Sequence, residues 1–143
     1  MMSITRESPV SELDECPCAG TTLDKLIQPA ILTVLAQKDL HGYRIAQQIG
    51  RMPSFRGRKP DVSGVYRFLR AMEERGLVVA SWDVSDRGPA KRLYALTAAG
   101  RRCLKRWGET LERYQAAVGG LVAMTREALA QADRRTAARK RRG

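Results

Sequence analysis

The sequence predicts a mainly α-helical protein that contains one small β-hairpin and a long C-terminal helix. Three observations support this fold class. Apolar residues recur at helical spacing in three short segments between residues 23 and 76. Two β-branched and aromatic runs, LVVASWD (77–83) and AKRLYALT (90–97), then flank a turn that contains Gly88-Pro89. After Thr97 the helical spacing resumes and continues for about four heptads.

The first helix contains the most apolar segment of the chain. Its apolar positions follow the spacing of one helix face and are Leu23, Leu26, Ile27, Ala30, Ile31, Val34 and Leu35. Pro29 has no amide donor and clashes with a preceding helical turn. The main helix is therefore expected to begin near Gln28, with Pro29 in its first turn. A short break is expected at 38–42.

Two further helices are expected before the hairpin. The second should cover 43–49, with Ile45, Ala46 and Ile49 on its inner face. The segment GRMPSFRGRKPD (50–61) is rich in Gly and Pro and predicts a loop. Ser63 stands where a helix N-cap is expected, and the third helix should cover 64–75 and stop at Gly76. Its expected buried residues are Val65, Phe68, Leu69 and Met72.

The last helix is predicted to extend from about Ala98 to Ala130, with Thr97 as its N-cap. Its apolar positions alternate by three and four residues: Leu104, Trp107, Leu111, Tyr114, Val118, Leu121, Thr125 and Ala128. A single small core cannot cover so long a helix, so we expect part of it to pair with a second copy. The alternative is a helix that packs only on its own domain.

The domain organisation follows from these elements. Residues 1–22 are polar and aperiodic and predict a flexible arm. Residues 23–97 contain three helices and a hairpin, which is the order of a winged helix-turn-helix DNA-binding domain. Residues 98–132 form the expected dimerisation helix. Residues 133–143 are basic and are expected to be a disordered tail that either adds non-specific DNA affinity or aids solubility.

The net charge of +11 indicates a polyanionic partner. Double-stranded DNA fits both the charge and the predicted fold, whereas the alternative is a solvated basic surface. No apolar run is long enough to cross a membrane, and the N-terminus lacks the apolar region of a secretory signal. Three cysteines do not make a disulfide framework. A cytoplasmic location is therefore expected.

Three short motifs follow one another along the chain. The first is His41-Gly42-Tyr43 after the first helix. The second is SGVYRFLRAMEERGLV (63–78), in which Tyr66 of the third helix is followed by Leu69, by Met72-Glu73 and by Gly76-Leu77-Val78. The third is YALTAAG (94–100), where the wing leads into the last helix. Together these motifs resemble the PadR family of bacterial transcriptional regulators, and the resemblance covers roughly residues 28–115.

The resemblance implies a winged helix-turn-helix whose C-terminal helix forms a homodimer. It also implies repression of nearby genes that a small-molecule effector relieves. The short C-terminal region is similar to the compact branch of the family, which has a single dimerisation helix. One departure is Arg67, which stands where proline commonly follows the tyrosine of the third helix and which adds a potential phosphate or base contact.

Candidate DNA-binding residues come from three segments. Side chains on the exposed N-terminal half of the third helix can reach base edges in a major groove. Cations of the loop before that helix and of the wing can contact phosphates. For Tyr66, packing against its own core is an equal alternative. The candidates are Ser63, Gly64, Tyr66, Arg67, Arg70, Arg56, Arg58, Lys59, Arg87, Lys91 and Arg92.

The candidate dimer interface, which is also the candidate effector site, consists of Leu104, Trp107, Leu111, Tyr114, Val118 and Leu121. Trp107 and Tyr114 are one heptad apart. In relatives that sense flat apolar compounds, aromatic residues of this helix line a pore between the two subunits. We favour the other interpretation, in which the two rings are part of the dimer core.

The remaining motifs indicate neither an enzyme nor a cofactor. Cys16-Pro-Cys18 provides two thiols, but metal sites usually need three or four ligands. A metal or redox sensor that uses Cys16 and Cys18 stays an alternative function, and surface thiols are the simpler interpretation. One histidine and no phosphate-binding glycine loop leave no set of catalytic groups. A charge-driven architectural DNA-binding protein without an effector is the other alternative.

Overall fold

The computed structural model describes residues 25–55, 62–84 and 88–143. The predictions for the N-terminal arm, for Cys16 and Cys18, and for four cations fall outside these ranges; the cations are Arg56, Arg58, Lys59 and Arg87. The chain divides into two units. The first ends at Leu104 and the second extends from Lys105 to Gly143. The division therefore falls within the C-terminal helix rather than at Thr97.

Helix α1 (Ile27–Gln37) is the central helix of the first unit. Pro29 is in its first turn, as predicted, where a missing amide donor removes no helical hydrogen bond. Ile31 and Leu32 are fully buried although they are adjacent in sequence. Because neighbouring residues point to different sides of a helix, α1 is covered by other elements on most of its circumference.

Helices α2 (Gly42–Gly50) and α3 (Val62–Glu74) are amphipathic and pack against α1 and against each other. A short 3-10 helix (Pro53–Phe55) follows α2. Because α3 begins at Val62, Ser63 lies inside its first turn and the predicted N-cap at Ser63 is wrong. Phe68 is only half-buried, whereas the other residues predicted for the inner face of α3 are buried: Val65, Leu69 and Met72.

The C-terminal end of α3 has the hydrogen bonds of a Schellman motif. Gly76 adopts φ +75°, the left-handed conformation that favours glycine. The amide of Gly76 donates to the carbonyl of Glu73 at 3.0 Å, and the amide of Leu77 donates to that of Met72 at 2.9 Å. Leu77 and Met72 are both buried, as is typical of the apolar residues at these two positions of the motif. The predicted stop at Gly76 is confirmed.

The sheet has three antiparallel strands rather than the predicted two. Strand β1 (Leu40–His41) pairs with β3 (Lys91–Leu96), which pairs with β2 (Val78–Asp83). The strand order is β1-β3-β2. The segment predicted as a break between helices thus contains a two-residue strand, which is too short for an alternating pattern to reveal. Strands β2 and β3 form the wing of the domain.

Helix α4 (Ala98–Arg142) is much longer than predicted. The expected disorder of 133–143 is wrong for nearly all of that segment, because the helix continues to Arg142. The segment consists largely of Ala, Arg and Lys, which have high helix propensity. Cations in the last turn also complement the negative end of the helix dipole. No helix in the described ranges is both long and apolar enough to cross a membrane.

The junction between the wing and α4 is held by Thr97. Its hydroxyl accepts a hydrogen bond from the amide of Gly100 at 3.0 Å, which confirms the predicted N-cap. The same hydroxyl lies 2.6 Å from the carbonyl oxygen of Gly76 and 3.0 Å from that of Leu77. The amide of Thr97 also donates to Leu77, at 3.2 Å. The start of α4 is therefore tied to the C-terminal end of α3.

The predicted fold class, mainly α with a small wing and a long C-terminal helix, is confirmed.

Candidate nucleic-acid interface

The exposed face of α3 carries the predicted base-reading side chains. Ser63, Arg67 and Arg70 are all exposed and recur at helical spacing of four and three residues, opposite the buried face. Gly64 is half-buried. The first unit thus presents two guanidinium groups of α3 to solvent on one side, in the geometry that a helix needs to approach a duplex groove.

Tyr66 packs against its own domain and also keeps part of its ring exposed. Its ring packs on Gly42 at the start of α2: a Cβ atom placed on Gly42 would lie 2.6 Å from Cζ and 2.7 Å from the hydroxyl of Tyr66. Even so, 43% of Tyr66 stays exposed. The glycine of the His-Gly-Tyr motif is therefore explained by the close approach of α3 to α2.

A concave surface of about 610 Å³ lies between α3, the start of α2 and the wing. We call it the wing pocket. Its lining combines cations with aromatic rings: Arg44, Arg70, Lys91, Arg92, Tyr43, Tyr66, Trp82 and Tyr94, together with His41, Gly42 and Ala90. Cations contact phosphates and aromatic rings contact sugars and bases, so this chemistry suits nucleic acid. Burial raises the pKa of Tyr94, against the effect of Arg92, so this phenol is neutral at ordinary pH.

The structure places Arg92 differently from its predicted role as a free wing-tip cation. Its guanidinium donates to the carboxylate of Glu73 on α3 at 2.7 Å. It also lies 5.8 Å from the ring centre of Trp82 and 5.6 Å from that of Tyr94. Its Nε atom is buried and has no hydrogen-bond partner within the described residues. Arg92 thus connects the wing to α3, and its charge is largely matched by Glu73.

Among the described residues of the wing, Lys91 is the exposed cation. It is opposite Asp83 in the strand register, next to the residues that connect the two wing strands. On the same face of the sheet, His41 and Asp83 are joined across β3, with 3.0 Å between Nε2 and a carboxylate oxygen. This contact fixes the tip end of β2 to β1, so the part of the wing that carries Lys91 is held against the short strand.

Seven residues that line the wing pocket were not among the predicted DNA-binding residues: His41, Gly42, Tyr43, Arg44, Trp82, Ala90 and Tyr94. Tyr43 and Arg44 face outward because Ile45, Ala46 and Ile49 take the buried side of α2. Helical periodicity in 43–49 could have indicated this outer face. Trp82 is 65% exposed at the end of β2, which is unusual for so large an apolar ring.

In the second unit, apolar side chains of the predicted dimer interface are exposed. Tyr114 is 52%, Val118 59% and Leu121 62% exposed, and these three share one helix face. The other three predicted interface residues, Leu104, Trp107 and Leu111, are half-buried.

Cys103 is also half-buried, with Gln28 Nε2 4.0 Å from its sulfur, and the described residues contain no cluster of potential metal ligands.

A helix that presents cations outward, beside a two-stranded wing that adds a further cation, defines a winged helix-turn-helix protein. Comparison with known families identifies the particular group. The chain belongs to the PadR-like family of transcriptional regulators, whose family model matches residues 31–106. The match covers α1 to the first part of α4 and so includes the whole sheet and the wing pocket. This is a family of regulators rather than of enzymes.

Solved structures share the fold. A candidate transcriptional regulator from Thermoplasma acidophilum is 25% identical, with a TM-score of 0.63 over 72% of this chain and 96% of that one. A PadR family regulator from Clostridium difficile is 22% identical, with a TM-score of 0.59 over 68% and 98%. PadR of Bacillus subtilis, solved in complex with operator DNA, is 23% identical, with a TM-score of 0.51 over 57% and 45%. The comparison with curated proteins finds no match.

Proposed function

We propose that this protein is a homodimeric, sequence-specific DNA-binding regulator that represses transcription and is released from DNA by a small-molecule effector. The main observation in support of DNA binding is that exposed cations and aromatic rings from α2, α3 and the wing lie together on one surface. The related regulator from Bacillus subtilis was solved with operator DNA, which supports the same partner for this chain. Acting on DNA agrees with the predicted cytoplasmic location.

In the proposed complex, α3 enters the major groove and the wing contacts the backbone. Arg67 and Arg70 are the candidates for bidentate pairing with guanine, which contributes about 1–3 kcal/mol of discrimination per base pair. Ser63 and Gly64 stay proposed base contacts at the start of α3, and Lys91 contacts a phosphate, which positions the protein without reading sequence. Tyr66 contributes an exposed ring edge from a fixed position against Gly42. Arg56, Arg58, Lys59 and Arg87 stay proposed phosphate contacts on the basis of charge alone.

The proposed homodimer forms through α4. The exposed face of Tyr114, Val118 and Leu121 has the heptad spacing of helices that pair side by side. Burial of this face against a second copy would stabilise the pair through the apolar area removed from water, at about 25 cal/mol per Å². Twofold symmetry would then present two α3 helices to half-sites about one DNA turn apart.

The proposed effector is a flat apolar compound bound near Trp107 in the dimer interface. Only the family resemblance and the aromatic character of Trp107 and Tyr114 support this part. Binding can be followed through tryptophan fluorescence in a Trp82→Phe variant, which leaves Trp107 as the single tryptophan. The fluorescence should saturate with the compound, and operator affinity should fall over the same concentration range. Saturation with no change in affinity would exclude the effector role.

The decisive experiment for DNA binding is selection of preferred duplexes from a random library, followed by footprinting. We expect one pseudo-palindromic site with half-sites about one helical turn apart. Arg70→Ala should then weaken binding to that site by 1–3 kcal/mol, or about 5- to 150-fold. Arg75→Ala is the matched control, because Arg75 is exposed just beyond α3 but does not line the wing pocket.

Uniform binding to every duplex, with no enriched sequence, would contradict the proposal. That result would support the architectural alternative, in which charge alone holds the protein on DNA. Equal losses for Arg70→Ala and Arg75→Ala would contradict the assignment of base readout to Arg70. The proposed dimer is tested separately by the mass of the protein in solution.

A further inference from the structure

The C-terminal end of α4 continues the heptad pattern with arginine in place of apolar residues. The alternation by three and four residues that begins at Leu104 extends without a break through Thr125, Ala128 and Ala132. Its next three positions are Arg135, Arg139 and Arg142. All three are helical and exposed. At about 100° per residue their side chains lie within an arc of roughly 60° on the helix. We call this set the arginine face.

Helix pairing cannot extend over this face in a parallel dimer. An arginine at a seam position would oppose the same arginine of the second copy, and like charges at such positions repel. In a parallel dimer the apolar seam therefore ends at Ala132. The remaining ten residues of the helix, 133–142, extend for about 15 Å with no apolar side chain larger than alanine.

Intrahelical ion pairs do not account for the arginine face. The described part of the chain contains one ion pair to this segment, Arg134 with Glu127 at 3.7 Å, and both of its side chains are 66% exposed. Arg135, Arg139 and Arg142 have no acidic partner among the described residues. Complementing the helix dipole needs cations in the last turn only, and Arg135 lies before it.

We propose that the arginine face is a second nucleic-acid contact, which binds the phosphate backbone of duplex DNA without reading sequence. It rests on the proposed DNA-binding function and adds to it a site outside the winged domain. Guanidinium groups bind phosphate oxygens bidentately, and a helix keeps them on one side without the cost of ordering a flexible tail. A membrane surface fits less well, because an interfacial helix needs an apolar face opposite its cations.

The test compares two triple variants that remove the same charge from the same segment. The first is Arg135→Gln/Arg139→Gln/Arg142→Gln, on the arginine face. The matched control is Arg134→Gln/Lys140→Gln/Arg141→Gln, on other sides of the helix. Binding is measured against salt concentration on the selected operator and on a scrambled duplex of equal composition. Circular dichroism checks that both variants keep the helix.

We expect the first variant to reduce the slope of log K against log salt by up to about 5 for a dimer, at about 0.9 per phosphate contact. Affinity should fall by the same factor on both duplexes, so the preference for the operator is unchanged. The control variant should reduce this slope by less than half as much. A chain that ends at Ala132 should behave like the first variant or bind still more weakly.

Three results would overturn the proposal. Equal effects of the two triple variants would show that net charge, rather than a face, attracts DNA. Unchanged binding of both would show that the segment does not contact DNA. Binding of the wild-type chain to phosphatidylserine vesicles that is lost in the first variant, with DNA affinity unchanged, would assign the face to lipid. If the wild-type chain shows no operator preference, the proposed specific regulation fails, while the scrambled duplex still tests the arginine face.

Discussion

Gly100→Ala is expected to destabilise the first unit, although alanine is the best helix former. Gly100 lies buried in the first turn of α4, directly against Leu77, which connects α3 to β2, and against Leu96 of β3. A Cβ atom at this position would lie 2.6 Å from Leu96 Cδ1 and 3.1 Å from the carbonyl carbon of Leu77, and would also contact the Leu77 carbonyl oxygen. The oxygen is part of the backbone, so it cannot rotate away as a side chain could.

The expected loss in free energy of unfolding follows from the displacement of α4 that the added methyl group requires. Carbon atoms pack best at about 3.5–4.0 Å, so α4 would have to shift by roughly 1 Å. Overpacking of this kind costs about 1–3 kcal/mol. The shift would also weaken the hydrogen bonds that Thr97 makes to Leu77, each contributing about 1 kcal/mol. The higher helix propensity of alanine than of glycine offsets about 1 kcal/mol of this loss. The net loss in free energy of unfolding is about 2 kcal/mol, or roughly 10 °C in Tm for a domain of this size.

The assay is urea unfolding followed by circular dichroism at a fixed protein concentration, because dimer formation makes stability depend on concentration. Gly108→Ala is the control on the same helix. Nothing lies within 4 Å of a Cβ placed on Gly108, so this variant should gain up to about 1 kcal/mol from propensity alone. A Gly100→Ala variant as stable as the wild type would refute the reasoning, because α4 would then have room against Leu77.

Three further predictions test other contacts. Thr97→Val should lower the free energy of unfolding by about 1–2 kcal/mol through loss of the cap at Gly100; a loss within the error of urea unfolding would contradict the cap. Lys91→Gln should reduce the salt slope of operator binding by about 2 per dimer. Arg92→Gln should leave the slope nearly unchanged, because Arg92 is paired with Glu73. Equal reductions of the slope by the two variants would show that Arg92 also contacts a phosphate. Leu121→Glu should convert the dimer to monomer in light-scattering measurements, and an unchanged mass would place the interface elsewhere.

Local signals explain most of what the sequence predicted correctly about the fold. The stop of α3 at Gly76 and the cap at Thr97 each depend on one residue and its near neighbours in the chain. Pro29 similarly limits where α1 can begin. Such features are readable because the backbone groups at helix ends need partners within a few residues. The order of three helices, wing and long helix then follows from the spacing of the apolar residues.

Features that depend on tertiary contacts were not predictable in the same way. Strand β1 has two residues and exists only because β3 pairs with it. The partner of Arg92 is Glu73, on a different element, so the sequence alone left Arg92 among the free cations. The wing pocket combines side chains from α2, α3 and both wing strands, and no single periodic segment contains it. The tail was predicted as disordered from its charge, whereas the helix propensity of its Ala and Arg residues favours continuation of α4.

The wing-to-helix junction connects the two proposed activities. The Leu77 carbonyl accepts from the Thr97 amide and hydroxyl, and it lies in contact distance of Gly100. Leu77 is itself the residue whose amide closes the Schellman motif of α3. The end of α3 and the start of α4 are therefore joined at Leu77, because the amide of this residue donates to Met72 of α3 and its carbonyl accepts from Thr97, the residue between β3 and α4. A movement of the first turn of α4 must move the end of α3 with it, unless these bonds break. An effector that changes the pairing of α4 would thus act on the helix proposed to read DNA, whereas the contact of the arginine face with phosphates would not pass through this junction.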